Sequence, residues 1–143
     1  MTAVTDAEWE IMRVLWAHNE STSREIITTL ADAMNWKPAT IKTLLGRLKD
    51  KGMVHARRDG RQYIYRAVVT EEEILRQQIR EILAGICRCD AGKLVSMMLT
   101  EATLSKSDID YLIGQLEAMK KVATETVSCQ CLPGQCRCHS ENK

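Results

Sequence analysis

Lys37-Pro-Ala-Thr-Ile-Lys-Thr-Leu-Leu-Gly-Arg-Leu-Lys-Asp-Lys-Gly52, continued by Met53-Val-His-Ala-Arg-Arg-Asp-Gly-Arg-Gln-Tyr-Ile-Tyr-Arg66, is the stretch that decides the fold. Pro38 stands where a helix begins, because the first helical position has no use for an N–H. Ile41, Leu44, Leu45 and Leu48 then recur at i, i+3, i+4 and i+7, one apolar face of a helix that Gly52 is expected to end. Two runs rich in β-branched and aromatic residues flank Asp59-Gly60, a pair tolerant of positive φ at both loop positions, so a β-hairpin follows.

The pattern extends upstream. Thr5-Asp-Ala-Glu8 and Thr22-Ser-Arg-Glu25 are capping boxes, in which hydroxyl and carboxylate satisfy each other's orphan amides. Trp9, Met12, Leu15 and Trp16 follow the first at helical spacing; Ile26, Ile27, Leu30 and Met34 follow the second and are expected to face inward. Three helices and a hairpin over residues 1–69 predict a winged-helix unit of the helix-turn-helix class. Downstream, Thr70-Glu-Glu-Glu73 opens a helix expected to reach about Ile86. A shorter one is expected from about Ala91 to Leu99, and a last one from Ser105-Lys-Ser-Asp108 to about Thr126. Their apolar positions, from Ile74 to Met119, exceed what so thin an element buries alone. Residues 70–126 are therefore expected to form a helical dimerisation module, with packing back onto the winged unit as the alternative. Periodicity ends at Val127, and residues 127–143 read as a cysteine-rich, metal-binding tail. The expected class is mainly α.

Of 143 residues, 45% are hydrophobic and 27% charged, the balance of a globular chain. No apolar run approaches the roughly 20 residues of a membrane span. The first residues lack the basic and apolar regions of a secretory signal, so a cytoplasmic location is expected. A formal net charge of +1 hides an asymmetry: residues 37–66 hold nine basic and two acidic side chains, a net of +7, leaving −6 for the rest. A basic block in an acidic chain suits a polyanion surface; a merely solvated charged face is the plainer alternative. His18, His55 and His139 accompany no nucleophile or carboxylate pair, and no glycine-rich phosphate loop occurs, so an enzyme is not expected.

Advancing 100° per residue along the Pro38 helix puts Ala39, Thr43, Gly46 and Asp50 opposite the apolar stripe, flanked by Thr40, Lys42 and Arg47. Such a small, polar outer face fits a recognition helix. Thr40 and Thr43 suit a thymine methyl or a base acceptor, Lys42 a guanine edge, and Arg47 a phosphate. Arg57, Arg58 and Arg61 surround the hairpin tip and are expected to grip phosphates without reading sequence.

Four of six cysteines lie in the tail as Cys129-x-Cys131-x4-Cys136-x-Cys138. Leu132-Pro-Gly-Gln135 between the pairs suits a type II turn that brings four sulfurs together. Convergent thiolates select Cu(I), Zn(II) or Cd(II). C-x-C pairs are tighter than the usual structural zinc spacing and suit sulfurs that bridge neighbouring copper(I) ions. A dithiol redox switch and a passive metal-storing tail are the competing readings. Cys87-Arg-Cys89 has no second pair beside it in sequence and is expected to be small buried residues or incidental thiols, with metal contact as the lesser alternative.

Trp36-Lys-Pro38-Ala-Thr40-Ile41-Lys-Thr43-Leu-Leu-Gly-Arg47-Leu48, with Lys51-Gly52 and Asp59-Gly60-Arg61-x-Tyr63-x-Tyr65, resembles the penicillinase-repressor (BlaI/MecI) family. The cysteine tail resembles its copper-responsive branch, the CopY-type repressors. The resemblance implies a homodimer on double-stranded operator DNA, an inverted repeat of the TACA/TGTA type, repressing a copper-homeostasis operon. It implies a zinc-loaded repressing form and release by Cu(I), delivered by a small copper chaperone. It carries Thr40, Lys42, Thr43 and Arg47 over as DNA contacts and Cys129, Cys131, Cys136 and Cys138 as ligands. The β-lactam-responsive branch is inactivated by cleavage at an Asn-Phe bond; this chain has no Phe, so that route is not expected.

Overall fold

The computed structural model describes residues 3–138. His139 lies outside them. Packing divides the chain into two compact units, Met1–Gln77 and Gln78–Lys143.

The first unit contains α1 (Asp6–Ala17), β1 (Ser21–Thr22), α2 (Ser23–Met34), α3 (Pro38–Asp50), β2 (Val54–Asp59), β3 (Gln62–Ala67) and the start of α4 (Glu71–Ala84). Both upstream capping boxes form, with Thr5 and Thr22 accepting from the amides of Glu8 and Glu25. α3 ends in a Schellman arrangement: the Met53 amide donates to the Leu48 carbonyl and the Gly52 amide to that of Lys49, both at 3.0 Å, with Gly52 at φ +75°. Ile11, Met12, Ile26, Ile41, Leu45, Leu48 and Met53 build the core, and the apolar stripe of α3 is wholly inside. Trp9 and Trp16 pack edge to face at 5.1 Å, and the Trp16 indole donates to the Val69 carbonyl at 2.9 Å, fixing the chain as it leaves the sheet.

Four details differ from expectation. β1 turns the hairpin into a three-stranded antiparallel sheet of order β1-β3-β2, Ser21 opposite Tyr65 and Thr22 opposite Ile64. Thr22 serves twice, because the extended backbone of a helix N-cap is also that of a strand. Asp59 pairs with Gln62, so the two loop residues are Gly60 and Arg61 rather than Asp59 and Gly60. Only Gly60 has positive φ (+65°), the sign pattern of a type II′ turn with glycine first. Met34, expected inside, is 38% exposed; it is the last residue of α2, where left-handed Asn35 (φ 55°, ψ 42°) turns the chain away. Ile74, counted with the surplus apolar residues, joins the first unit's core and brings the opening turns of α4 with it.

The second unit holds the rest of α4, a turn of 3₁₀ helix (Arg88–Asp90), α5 (Ala91–Glu101) and α6 (Lys106–Lys120). α6 stops six residues short of Thr126, because Val122, Thr124, Thr126 and Val127 are β-branched and Val122 is almost fully exposed. No residue of α5 or α6 is buried. Ile79, Ile82, Val95, Met98, Ile109, Ile113 and Leu116 all stand open, half or nearly half exposed.

Candidate nucleic-acid interface and thiol site

With Ile41, Leu44, Leu45 and Leu48 turned inward, α3 presents Thr40, Lys42, Thr43, Gly46 and Arg47 on its exposed face. The Thr43 hydroxyl donates to the Ala39 carbonyl one turn back at 3.0 Å. Its proton is thereby engaged, which leaves an oxygen acceptor and a methyl group to face outward. A Cβ added to Gly46 meets nothing within 4 Å, so packing within the chain does not explain a glycine there.

The wing arginines are all exposed. Arg58 donates through Nε to the Gly60 carbonyl at 3.1 Å, bracing the hairpin tip with one of five donors. Arg57 pairs with Glu20 at 2.9 Å, both half exposed. A pair so solvated is worth about 0–1 kcal/mol and yields readily to a phosphate. Arg61 occupies the second loop position. Lys51, part of the basic block, is not on this face. Its ammonium reaches the buried Glu8 carboxylate at 2.6 Å and the Ala3 carbonyl at 2.8 Å.

The tail folds back as its Pro-Gly pair dictates. The Gln135 amide donates to the Leu132 carbonyl at 3.0 Å, and Gly134 takes the φ of +90° that a type II turn demands at its third position. Sulfurs then meet: Cys129 and Cys136 at 3.2 Å, Cys136 and Cys138 at 3.0 Å. All six cysteines are unbridged. Cys87 lies among them, 3.6 Å from both Cys129 and Cys138. The Cys89 thiol donates to the Val127 carbonyl at 3.4 Å. The reading of Cys87 and Cys89 as incidental thiols is therefore corrected. Cys87 is buried, with two tail sulfurs beside it. The signal was present, since Cys87-Arg-Cys89 has the same C-x-C spacing as the tail pairs.

Two groups of sulfurs have members all within 4.8 Å of one another: Cys87, Cys129, Cys131 and Cys136, and Cys87, Cys89 and Cys138. Tetrahedral zinc with Zn–S near 2.3 Å needs sulfurs about 3.8 Å apart, so the first group fits a four-coordinate thiophilic ion. The second fits a three-coordinate one. A cleft of about 610 Å³, lined by residues that include Ile86, Cys87, Gln130 and Cys131, opens beside them. The packed thiols do not ionise alike. A hydrogen bond from Cys138, foremost among several, holds Cys136 below the ordinary thiol range, and the same contact pushes Cys138 up. Burial first, then bonds with Cys87, Cys129 and Cys136, pushes Cys131 up to about 12. A cation must displace these protons, so metal uptake strengthens as pH rises and weakens as it falls.

Comparison with known proteins gives one family match, to the penicillinase repressor model, over residues 4–118. A 16.5 kDa protein described as uncharacterized, from the ptsI 3′ region of Latilactobacillus sakei, is 36% identical over 96% of this chain and 94% of its own length. The penicillinase repressor of Bacillus licheniformis is 30% identical over 82% of this chain and 91% of its own length. Methicillin resistance regulatory protein MecI of Staphylococcus aureus is 27% identical over 76% and 89%. Among solved structures, the DNA-binding domain of the repressor BlaI matches at 34% identity over 51% of this chain and 93% of that one, with a TM-score of 0.46.

Proposed function

The chain belongs to the penicillinase-repressor family, a family of DNA-binding transcriptional regulators and not of enzymes, and from that premise we propose that it is a copper-responsive repressor. The homodimer binds an inverted-repeat operator of the TACA/TGTA type ahead of a copper-homeostasis operon. The zinc-loaded form represses, and Cu(I), handed over by a chaperone, releases the DNA. The observation that carries the metal response is the convergence of the tail sulfurs on one another. A redox switch needs one thiol pair, whereas a soft cation gives a reason to gather this many sulfurs at once. The winged unit, with Thr40, Lys42, Thr43 and Arg47 on α3 and Arg57, Arg58 and Arg61 on the wing, is the DNA-binding half. The uncovered apolar faces of α5 and α6 support a second copy of the chain as their occupant. Among the described residues no helix is long and apolar enough to cross a membrane.

Net charge does not drive release. Four tail thiolates with one Zn²⁺ carry −2, and with two Cu⁺ on the same four sulfurs they carry −2 again. The two loads must instead favour different arrangements of the tails and the dimer helices, and only that difference in affinity shifts the equilibrium. The deciding experiment is an operator-binding assay on the zinc-loaded full chain, followed by anaerobic addition of Cu(I). Loss of binding is expected. Release by zinc or cadmium instead reassigns the signal, and release by oxidant alone establishes the redox reading.

Three predictions concern the proposed DNA-binding surface. Arg58→Ala should weaken operator and random DNA alike and flatten the salt slope by about one unit, since it removes one phosphate contact. Thr43→Ala should narrow the gap between operator and random DNA, because the lost groups face the bases. Equal losses on both DNAs for Thr43→Ala would refute its role. Gly46→Ala should raise thermal stability, by about 0.5–1 kcal/mol, since the new methyl meets open space and helix propensity improves. The same change should weaken operator binding if Gly46 is there to let the helix approach the groove, and parallel melting and binding curves separate the two effects.

A further inference from the structure

We propose that Cys87 and Cys89 are metal ligands and that Cys87 is shared, making the site a six-sulfur centre anchored to the end of α4. The inference rests on the tail being a metal site and deepens that reading. Cys87 belongs to both sulfur groups: it completes a set of four with Cys129, Cys131 and Cys136 and a set of three with Cys89 and Cys138. It is 7% exposed and equidistant, at 3.6 Å, from a sulfur of each tail pair. Without Cys87 the second group has too few sulfurs for a three-coordinate ion, and the first loses its fourth corner.

Sharing has a stoichiometric consequence. Copper(I) in three-fold thiolate coordination, each sulfur bridging two ions, places about four ions on six sulfurs but only about two to three on four. It also has a mechanical one. α4 ends at Ala84, three residues before Cys87, so an ion bound through Cys87 ties the tail to the helical unit itself. Metal load thereby acts on the helices proposed to pair the subunits, without any force routed through residues 121–128 alone.

The test uses the full-length protein and copper(I) added anaerobically. Native mass spectrometry of the wild type is expected to count more Cu(I) per chain than that of Cys87→Ser/Cys89→Ser, about four against about two to three. Equal counts overturn the proposal. Because Cys87 is buried and its replacement can disturb folding, the wild type supplies a second measurement. Iodoacetamide labelling, mapped by peptide mass, should be suppressed by copper at Cys89 together with the four tail cysteines. Protection of the tail with Cys89 labelled at its metal-free rate overturns this inference alone. No protection anywhere overturns the copper-binding reading beneath it.

Discussion

Serine at Cys129, Cys131, Cys136 and Cys138 together is expected to leave a protein that stays on its operator when copper(I) is added. Serine preserves size and hydrogen bonding but replaces a soft, ionisable donor with a hydroxyl that does not ionise near neutral pH and has little affinity for Cu(I). Allosteric coupling typically amounts to 1–3 kcal/mol, so the wild-type operator affinity should fall by roughly 5- to 150-fold on copper loading. In the variant the same addition should change it by less than about twofold, because a ligand with no preference between two states shifts neither.

The proper comparison is each protein's affinity before and after copper, since the variant loses its zinc load as well. Cys87 and Cys89 remain in this variant and can hold a copper ion between them, but the tail no longer gathers around it. Copper release that persists at wild-type amplitude would move the sensor from the tail to the Cys87–Cys89 pair and overturn the assignment.

The parts of this molecule that were legible in its sequence are those governed by local rules. The i, i+3, i+4, i+7 spacing placed all four apolar residues of α3 inside, and by elimination its outer face outside. Every capping box named from sequence forms, because its partners are three residues apart. Pro133-Gly134 specified a turn from its own φ preferences. Most of what escaped depends on pairing between segments, some of them far apart. The Asp59-Gly60 pair announced a hairpin, but its register was set by pairing of Asp59 with Gln62, one residue away from the expected loop. β1 is too short to show an alternation. Cys87 meets Cys129 across 42 residues, and no periodicity links positions at that distance. The same holds for Lys51, which looked like one more cation of a DNA-binding surface and instead closes on Glu8 across 43 residues.

That ion pair gives the second large expected effect, Lys51→Met. Glu8 is 1% exposed, and its carboxylate accepts from the Thr5 amide at 3.2 Å and from the Lys51 ammonium at 2.6 Å. Taking the ammonium away leaves a carboxylate out of water with one backbone donor and the favourable end of α1. Removing one partner of a buried pair costs about 3–5 kcal/mol. Lys51 is 19% exposed, so water can reach part of the gap. A loss of about 2–3 kcal/mol is therefore expected, at or just below the lower edge of that range. Urea unfolding should show it as a lower midpoint at unchanged slope. Adding Glu8→Gln to Lys51→Met should recover most of the loss, because glutamine keeps the capping box and carries no charge to strand. The double variant also separates structure from DNA contact. If Lys51 acts only through Glu8, its salt slope for operator binding equals that of the wild type, whereas Arg58→Ala reduces it. An unchanged unfolding midpoint in Lys51→Met, or a flattened salt slope in the refolded double variant, would return Lys51 to the DNA-binding surface.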